Sequence, residues 1–222
     1  MNLIGQKVLL DGQVIDTLSN QKFKLPDTKV YAWSFHKQNI VALGIANNIQ
    51  LWTERKPNDW QLAITFQSHQ YPIIHLSWAP YDVTFASIDQ TGQALIHNKK
   101  QDNWDQPISL NQEKYQVIAF AQNKSTIAAG GKCLDFYENF KLVHRVNLPV
   151  QQLAYSFTDR LLAVSDNSIS IFERNILKQH ILLEQIPSSV QWSLSGSKIY
   201  IQILNETFQY VENLYNEFVL QD

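Results

Sequence analysis

Large rings recur along this chain at a nearly fixed interval. Five times in 222 residues an apolar stretch ends in an aromatic side chain, a polar turn follows, and a second apolar stretch ends in another ring. The leading residues are Trp33, Trp78, Phe120, Tyr155 and Trp192, and their followers are Trp52, His97, Tyr137, Phe172 and Tyr210. Within the pairs the separation is 19, 19, 17, 17 and 18 residues, and successive leaders stand 45, 42, 35 and 37 residues apart. Such constancy marks an array of supersecondary units, each stacking on the next to bury a face it cannot bury alone.

A unit of about 40 residues built of short strands predicts a propeller blade, a four-stranded antiparallel sheet packed against its neighbours. In the first unit, residues 30–35, 39–45, 48–53 and 60–66 read as the four strands, with Asn47-Asn48 as a turn because Asn tolerates positive φ. Period-two alternation with β-branched and aromatic residues runs throughout, and no stretch sustains a helical period. The expectation is an all-β chain, one propeller domain over 1–222, with blades starting near 28, 73, 115, 150 and 187. Residues 1–27 read as an N-terminal hairpin or closure segment, Asp11-Gly12 supplying its tight turn. The recurrent rings have a bland purpose in this scheme: they fill the wedge between twisted sheets with the most apolar area per residue. His97 is the odd member and reads as a structurally paired imidazole.

The segment from Ser68 to Pro80 (SHQYPIIHLSWAP), followed by Ala86 to Ile96 (ASIDQTGQALI), resembles a WD40-type repeat. In that family a His before the first strand, a Ser or Thr on the second and an Asp in the following turn form a buried hydrogen-bond network. The resemblance implies this structural role for His69, Ser87 and Asp89. The other four units lack the pairing, and none ends in the Trp-Asp dipeptide that names the family. Trp60, in Pro57-Asn58-Asp59-Trp60-Gln61, and Trp104, in Gln101-Asp102-Asn103-Trp104-Asp105, are extra late rings. A polar turn and Trp, then His and Leu-Ser-Trp-Ala-Pro, is similar to propellers of coat and nuclear-pore scaffolds. Residues 31–34 and 39–42 with the second unit are similar to the N-terminal propeller of Mediator tail subunit 16. Both resemblances imply a non-catalytic part of a large assembly, in which Trp60 and Trp104 are exposed anchors for partners.

Blade count leads to a partner. WD40-type propellers of seven blades need on the order of 280–300 residues, and only five units are recognisable here. The N-terminal segment either gives a strand to the last blade or starts a sixth, incomplete one. An open ring leaves sheet edges to which another chain can add a strand.

Charge and motif content narrow the function classes. The formal net charge is −2, with Lys and Arg scattered, which argues against direct nucleic-acid binding. The pairs Glu54-Arg55-Lys56 and Lys99-Lys100 read as solvated turn charges. No phosphate loop, dinucleotide fingerprint, paired-Cys metal site or zinc-protease stretch occurs, so no catalytic, metal or cofactor residue is assigned. A lone Cys133 excludes an intrachain disulfide and fits a reducing compartment, cytosol or nucleus. No run approaches the roughly 20 apolar residues needed for a membrane-spanning helix. Three readings follow: a protein-interaction scaffold, a peptide or modified-residue reader using the central face, and a small, lactonase-like propeller enzyme.

Overall fold

The computed structural model describes residues 7–10, 12–17, 21–34, 39–81, 83–101, 103–110, 113–123 and 125–221. Asp11, Phe35 and Asp102, which the sequence placed in turns or a strand, lie outside the described residues. Two compact units divide the chain, Met1–Gln112 and Glu113–Asp222. All regular structure among the described residues is strand.

The first unit opens with a three-stranded antiparallel sheet of β1 (Lys7–Leu10), β2 (Gln13–Asp16) and β3 (Lys22–Lys24). Its first four-stranded sheet runs in chain order through β4 (Tyr31–Trp33), β5 (Ile40–Ile45), β6 (Asn48–Lys56) and β7 (Asp59–Phe66). The second follows as β8 (Ile73–Trp78), β9 (Thr84–Asp89) and β10 (Ala94–Lys100), with the outer position shared by β11 (Asn103–Trp104) and β12 (Ile108–Ser109). In the second unit the third sheet is β13 (Tyr115–Phe120), β14 (Thr126–Gly131), β15 (Leu134–Glu138) and β16 (Lys141–Val146). The fourth is β17 (Gln152–Tyr155), β18 (Arg160–Ser165), β19 (Ser168–Glu173) and β20 (Ile176–Leu182). The fifth is β21 (Ser189–Trp192), β22 (Lys198–Ile203), β23 (Glu206–Glu212) and β24 (Phe218–Leu220).

Strand register explains the recurrent rings. Trp33 lies opposite Val41, and Val41 opposite Trp52. The same three-residue row is Trp78, Phe85, His97 in the second sheet and Phe120, Ile127, Tyr137 in the third. It is Tyr155, Leu161, Phe172 in the fourth and Trp192, Ile199, Tyr210 in the fifth. Residues directly opposite one another share a face of the sheet, so each pair of rings flanks one apolar side chain, and that middle side chain is sealed from solvent in all five sheets.

Within each unit these rows face the preceding sheet. Trp33, Val41 and Trp52 join Leu9, Val14 and Leu25 of the N-terminal segment in one core cluster. Trp78 and Phe85 pack with Ala42, Ile49 and Leu51 of the first sheet. Tyr155, Leu161 and Phe172 pack with Ala128, Leu134 and Phe136 of the third. Trp192, Ile199 and Tyr210 pack with Leu162, Val164 and Ile169 of the fourth. Two of the tryptophans also hook backward: the Trp78 indole N–H donates to the Ala32 carbonyl and that of Trp192 to the Ala154 carbonyl, both at 3.0 Å. Arg160 fastens the fourth sheet to the fifth, its guanidinium forked onto Glu212 at 2.6 and 3.0 Å and lying over Trp192 and Phe218. Close approach demands a glycine at Gly130, where a Cβ would lie 2.8 Å from the Cβ of Val150.

Three sequence expectations are corrected here. The first-sheet turn is Ala46-Asn47, with positive φ at Ala46, and Asn48 already pairs with Ile45. The six-residue strand expected over 30–35 is Tyr31–Trp33. Glu54 is no solvated turn charge: it lies in β6, largely buried, where it pairs with Lys7 and accepts the Asn58 amide at 2.7 Å. The described part of the N-terminal segment forms the sheet β1–β2–β3, and the four described strands of the fifth sheet come from residues 189–220.

If the rings are the packing elements, Trp192→Ala should lower stability by about 3–5 kcal/mol, whereas Leu214→Ser, at a site 99% exposed, should stay within about 0.5 kcal/mol. Urea unfolding of the two variants checks this, and comparable losses would contradict it.

Candidate functional site

The residues singled out by the WD40 resemblance meet in the second sheet. His69 precedes β8, Ser87 lies on β9 and Asp89 ends it, all buried. His69 Nδ1 is 3.1 Å from Asp89 Oδ2, and His69 Nε2 is 2.7 Å from Ser87 Oγ. His97, read from the sequence as a structurally paired imidazole without a named partner, is the fourth member: its Nε2 is 2.9 Å from Ser87 Oγ, and its ring stacks on Phe85 at 4.4 Å. Register could have found it, since Leu95 stands opposite Ser87 and His97 two residues on.

Hydrogen-bond closure assigns the protons. Asp89 can only accept, so His69 Nδ1 carries its hydrogen. His69 Nε2 must then accept from Ser87, whose oxygen in turn accepts from His97 Nε2–H. His97 Nδ1 is left as a bare acceptor with no partner among the described residues, and both imidazoles are neutral. Burial lowers the pKa of His97 to about 3, helped by His69. Burial also lowers that of His69, against the raising effect of Asp89. Burial alone would raise the Asp89 carboxyl, but bonds from Thr91, His69 and the amides of Thr91 and Gln93 outweigh it and hold it low.

The third sheet carries a different polar cluster, for which the sequence offered no motif. Asp135 on β15 is fully buried and takes a forked pair of bonds from Arg145 on β16, Nε at 2.6 Å and a terminal nitrogen at 2.8 Å. Tyr115 donates to Asp135 at 2.5 Å and accepts from Tyr137, also at 2.5 Å. Burial, then the bond to Asp135, raises the Tyr115 pKa, and the Asp135 bond raises that of Arg145. Cys133 lies 3.8 Å from Asp135, and burial and that carboxylate push its thiol up. A thiol so placed is a poor nucleophile.

The two tryptophans expected as exposed anchors are packed. Trp60 is 3% exposed and meets Trp33 edge to face at 5.7 Å. Trp104 is half-buried against Phe66, Trp78 and Phe85. Trp60 joins the core between the first sheet and the N-terminal segment, and Trp104 packs against the core between the second sheet and the first. Among the described residues no group of three or more His, Cys, Asp or Glu side chains could hold a metal ion, and no helix is long and apolar enough to cross a membrane.

No protein-family model and no curated protein matches the chain. Many solved structures do. One is a chain in the crystal structure of the mitotic checkpoint complex, with a TM-score of 0.79 at 14% identity, covering 97% of this chain and 72% of that one. This chain has a WD40-like β-propeller fold. Its sheets are therefore blades, five of them four strands deep.

Acid should unfold the domain through the second blade. A base whose folded pKa lies below its unfolded value binds fewer protons when folded, so stability is complete above about 6.5 and falls as pH drops toward about 3 for His97. Within that window His97 contributes about 1.4 kcal/mol per pH unit. The His97→Phe variant should lose one proton's worth of this slope between about pH 6 and 4, read from denaturant unfolding at each pH; an unchanged slope would contradict the assignment. In the third blade, Arg145→Ala should destabilise more than Asp135→Asn. The first strands a buried carboxylate, whereas the asparagine still accepts from Tyr115 and leaves Arg145 free to pair with Glu113. Thermal unfolding decides the order.

Proposed function

We propose that the chain is a non-catalytic protein–protein interaction module, a WD40-like propeller subunit of a larger multiprotein assembly, and that a partner adds a strand beside β1. The observation that carries this reading is the edge of the N-terminal sheet. Residues 67–72, 147–151 and 183–188 each return the chain from the last strand of one blade to the first strand of the next. Residues 25–30 make the same return from β3 to β4. β3 thus holds the last position, and the position without a strand among the described residues is the first, beside β1.

Backbone direction favours that edge. The two-residue loop after Leu10 makes Leu10–Gln13 and Val8–Ile15 the pairs that exchange ladder bonds. Lys7 and Leu9 therefore aim their N–H and C=O groups outward, and the Leu9 carbonyl is met by the Tyr31 hydroxyl at 3.4 Å. Such an edge is a template for strand addition.

The similar chain in the mitotic checkpoint complex is also a component of a multiprotein assembly. Sequence resemblance over residues 28–115 favours a nuclear-pore, coat or Mediator type of assembly for this one. The reading assigns no cofactor, no reaction, no membrane insertion and no direct nucleic-acid contact, in keeping with the net charge of −2. The cytosol or nucleus is the compartment that suits the buried, unpaired Cys133.

Lys7→Pro and Lys7→Ala both remove the Lys7–Glu54 ion pair, but only proline removes the outward N–H and blocks the edge. Purified from native extract at moderate salt, Lys7→Ala should retain stoichiometric partners and Lys7→Pro should lose them. Equal retention would rule out strand addition at β1, and recovery of the unaltered chain alone would overturn the scaffold reading.

A further inference from the structure

A cleft of about 480 Å³ opens between the third and fourth blades, where the β13–β14 and β17–β18 loops and the β19–β20 turn come together. Its floor is apolar: Phe136 and Phe172 lie 5.5 Å apart and belong to the core shared by these two blades. Among the described residues its rim is charged, with the carboxylates of Glu138, Asp159 and Glu173 set against the guanidinium of Arg174. Asp159 is fixed in place, because its carboxylate accepts the Gln122 and Asn123 amides at 2.5 and 3.3 Å and so spans the two blades. Glu173 is only loosely engaged, 3.9 Å from a half-exposed Lys178.

A second, independent feature points to a ligand. Tyr155 lines the cleft, and its hydroxyl is shut off from solvent with no hydrogen-bond partner among the described residues. Trp78 and Trp192, in the same row position, donate to the preceding sheet. Tyr155 makes no such bond among the described residues. A buried hydroxyl without a partner is uncommon in folded proteins, and this one sits where an incoming N–H donor would meet an acceptor beside an acidic rim.

We propose that this cleft binds a cationic side chain, Lys or Arg, from a peptide segment of a partner protein. Glu138, Asp159 and Glu173 oppose the charge, and the Tyr155 hydroxyl accepts one N–H. The inference deepens the protein-interaction reading and rests on it, but it concerns a site separate from the β1 edge.

The test uses the whole chain, labelled with ¹⁵N, and three capped tripeptides: acetyl-Gly-Arg-Gly-amide, acetyl-Gly-Lys-Gly-amide and the neutral acetyl-Gly-Gln-Gly-amide. The cationic peptides should shift amide signals of residues 121–126, 156–161 and 173–175 in a saturable way, and the neutral one should not. Affinity should weaken about 3- to 10-fold in Tyr155→Phe, the loss of one hydrogen bond, and more in Glu138→Gln/Glu173→Gln, whose exposed substitutions leave the fold intact. Raising salt from about 0.05 to 0.5 M should weaken binding of the unaltered chain, as expected of partly exposed charges. Equal shifts from the neutral peptide, no saturable shift from either cationic one, or undiminished affinity in the double variant would overturn the proposal. None of these outcomes touches partner retention through β1, so the two readings fail separately.

Discussion

The row of rings that, within each unit, a blade turns toward the sheet before it is the constraint on which the rest of the structure depends. A single blade has an apolar face it cannot bury, and the row supplies both the buried area and the registration. Because the leading and following rings stand on the first and third strands with one sealed apolar residue between them, a slip of one residue in either strand would turn a ring to the opposite face. The backward indole bonds from Trp78 to Ala32 and from Trp192 to Ala154 add direction to a contact that is otherwise non-directional. They fix how far each first strand lies from the preceding one.

Buried polar groups play a second part, and each blade handles them differently. The second blade threads one chain of bonds from His97 through Ser87 and His69 to Asp89, ending on turn amides. The third uses an ion pair, Asp135 with Arg145, closed by two tyrosines. The fifth takes Arg160 from its neighbour onto Glu212. The first two tie the strands of one blade together, and the third ties the fourth blade to the fifth. That suits a domain that must hold a unique arrangement with little α-helical or disulfide reinforcement. Two of the places where polar groups stay free among the described residues are the edge beside β1 and the cleft at Tyr155. Both are places where another chain could make the bond that this chain does not.

The repeat period and the rings were legible in the sequence because they follow from a geometric necessity, one row per blade. So was the set His69, Ser87 and Asp89, whose spacing a family had already made familiar. Other features were hidden for physical reasons. Asp135 and Arg145 stand on neighbouring strands with no motif between them, and only register brings them together. Trp60 and Trp104 sit after polar turns and read as exposed, yet both rings pack against the core. Positive φ at Ala46 and Leu204 shows that strand pairing on both sides can impose a turn that side-chain preference would have placed on Asn. The acidic cleft is assembled from loops about 35 residues apart in sequence, one repeat period, so no local pattern announces it.

Indole hydrogen exchange is the most direct test of the ring-row account. Trp78 and Trp192 should exchange their Nε1 hydrogens as slowly as the strand amides around them, since both are tied to the preceding blade. Trp52, whose indole bonds only a neighbouring Gln50 side chain on a half-exposed surface, should exchange far faster. Rapid exchange at Trp78 and Trp192 beneath protected strand amides would mean that the rings do not hold successive blades together.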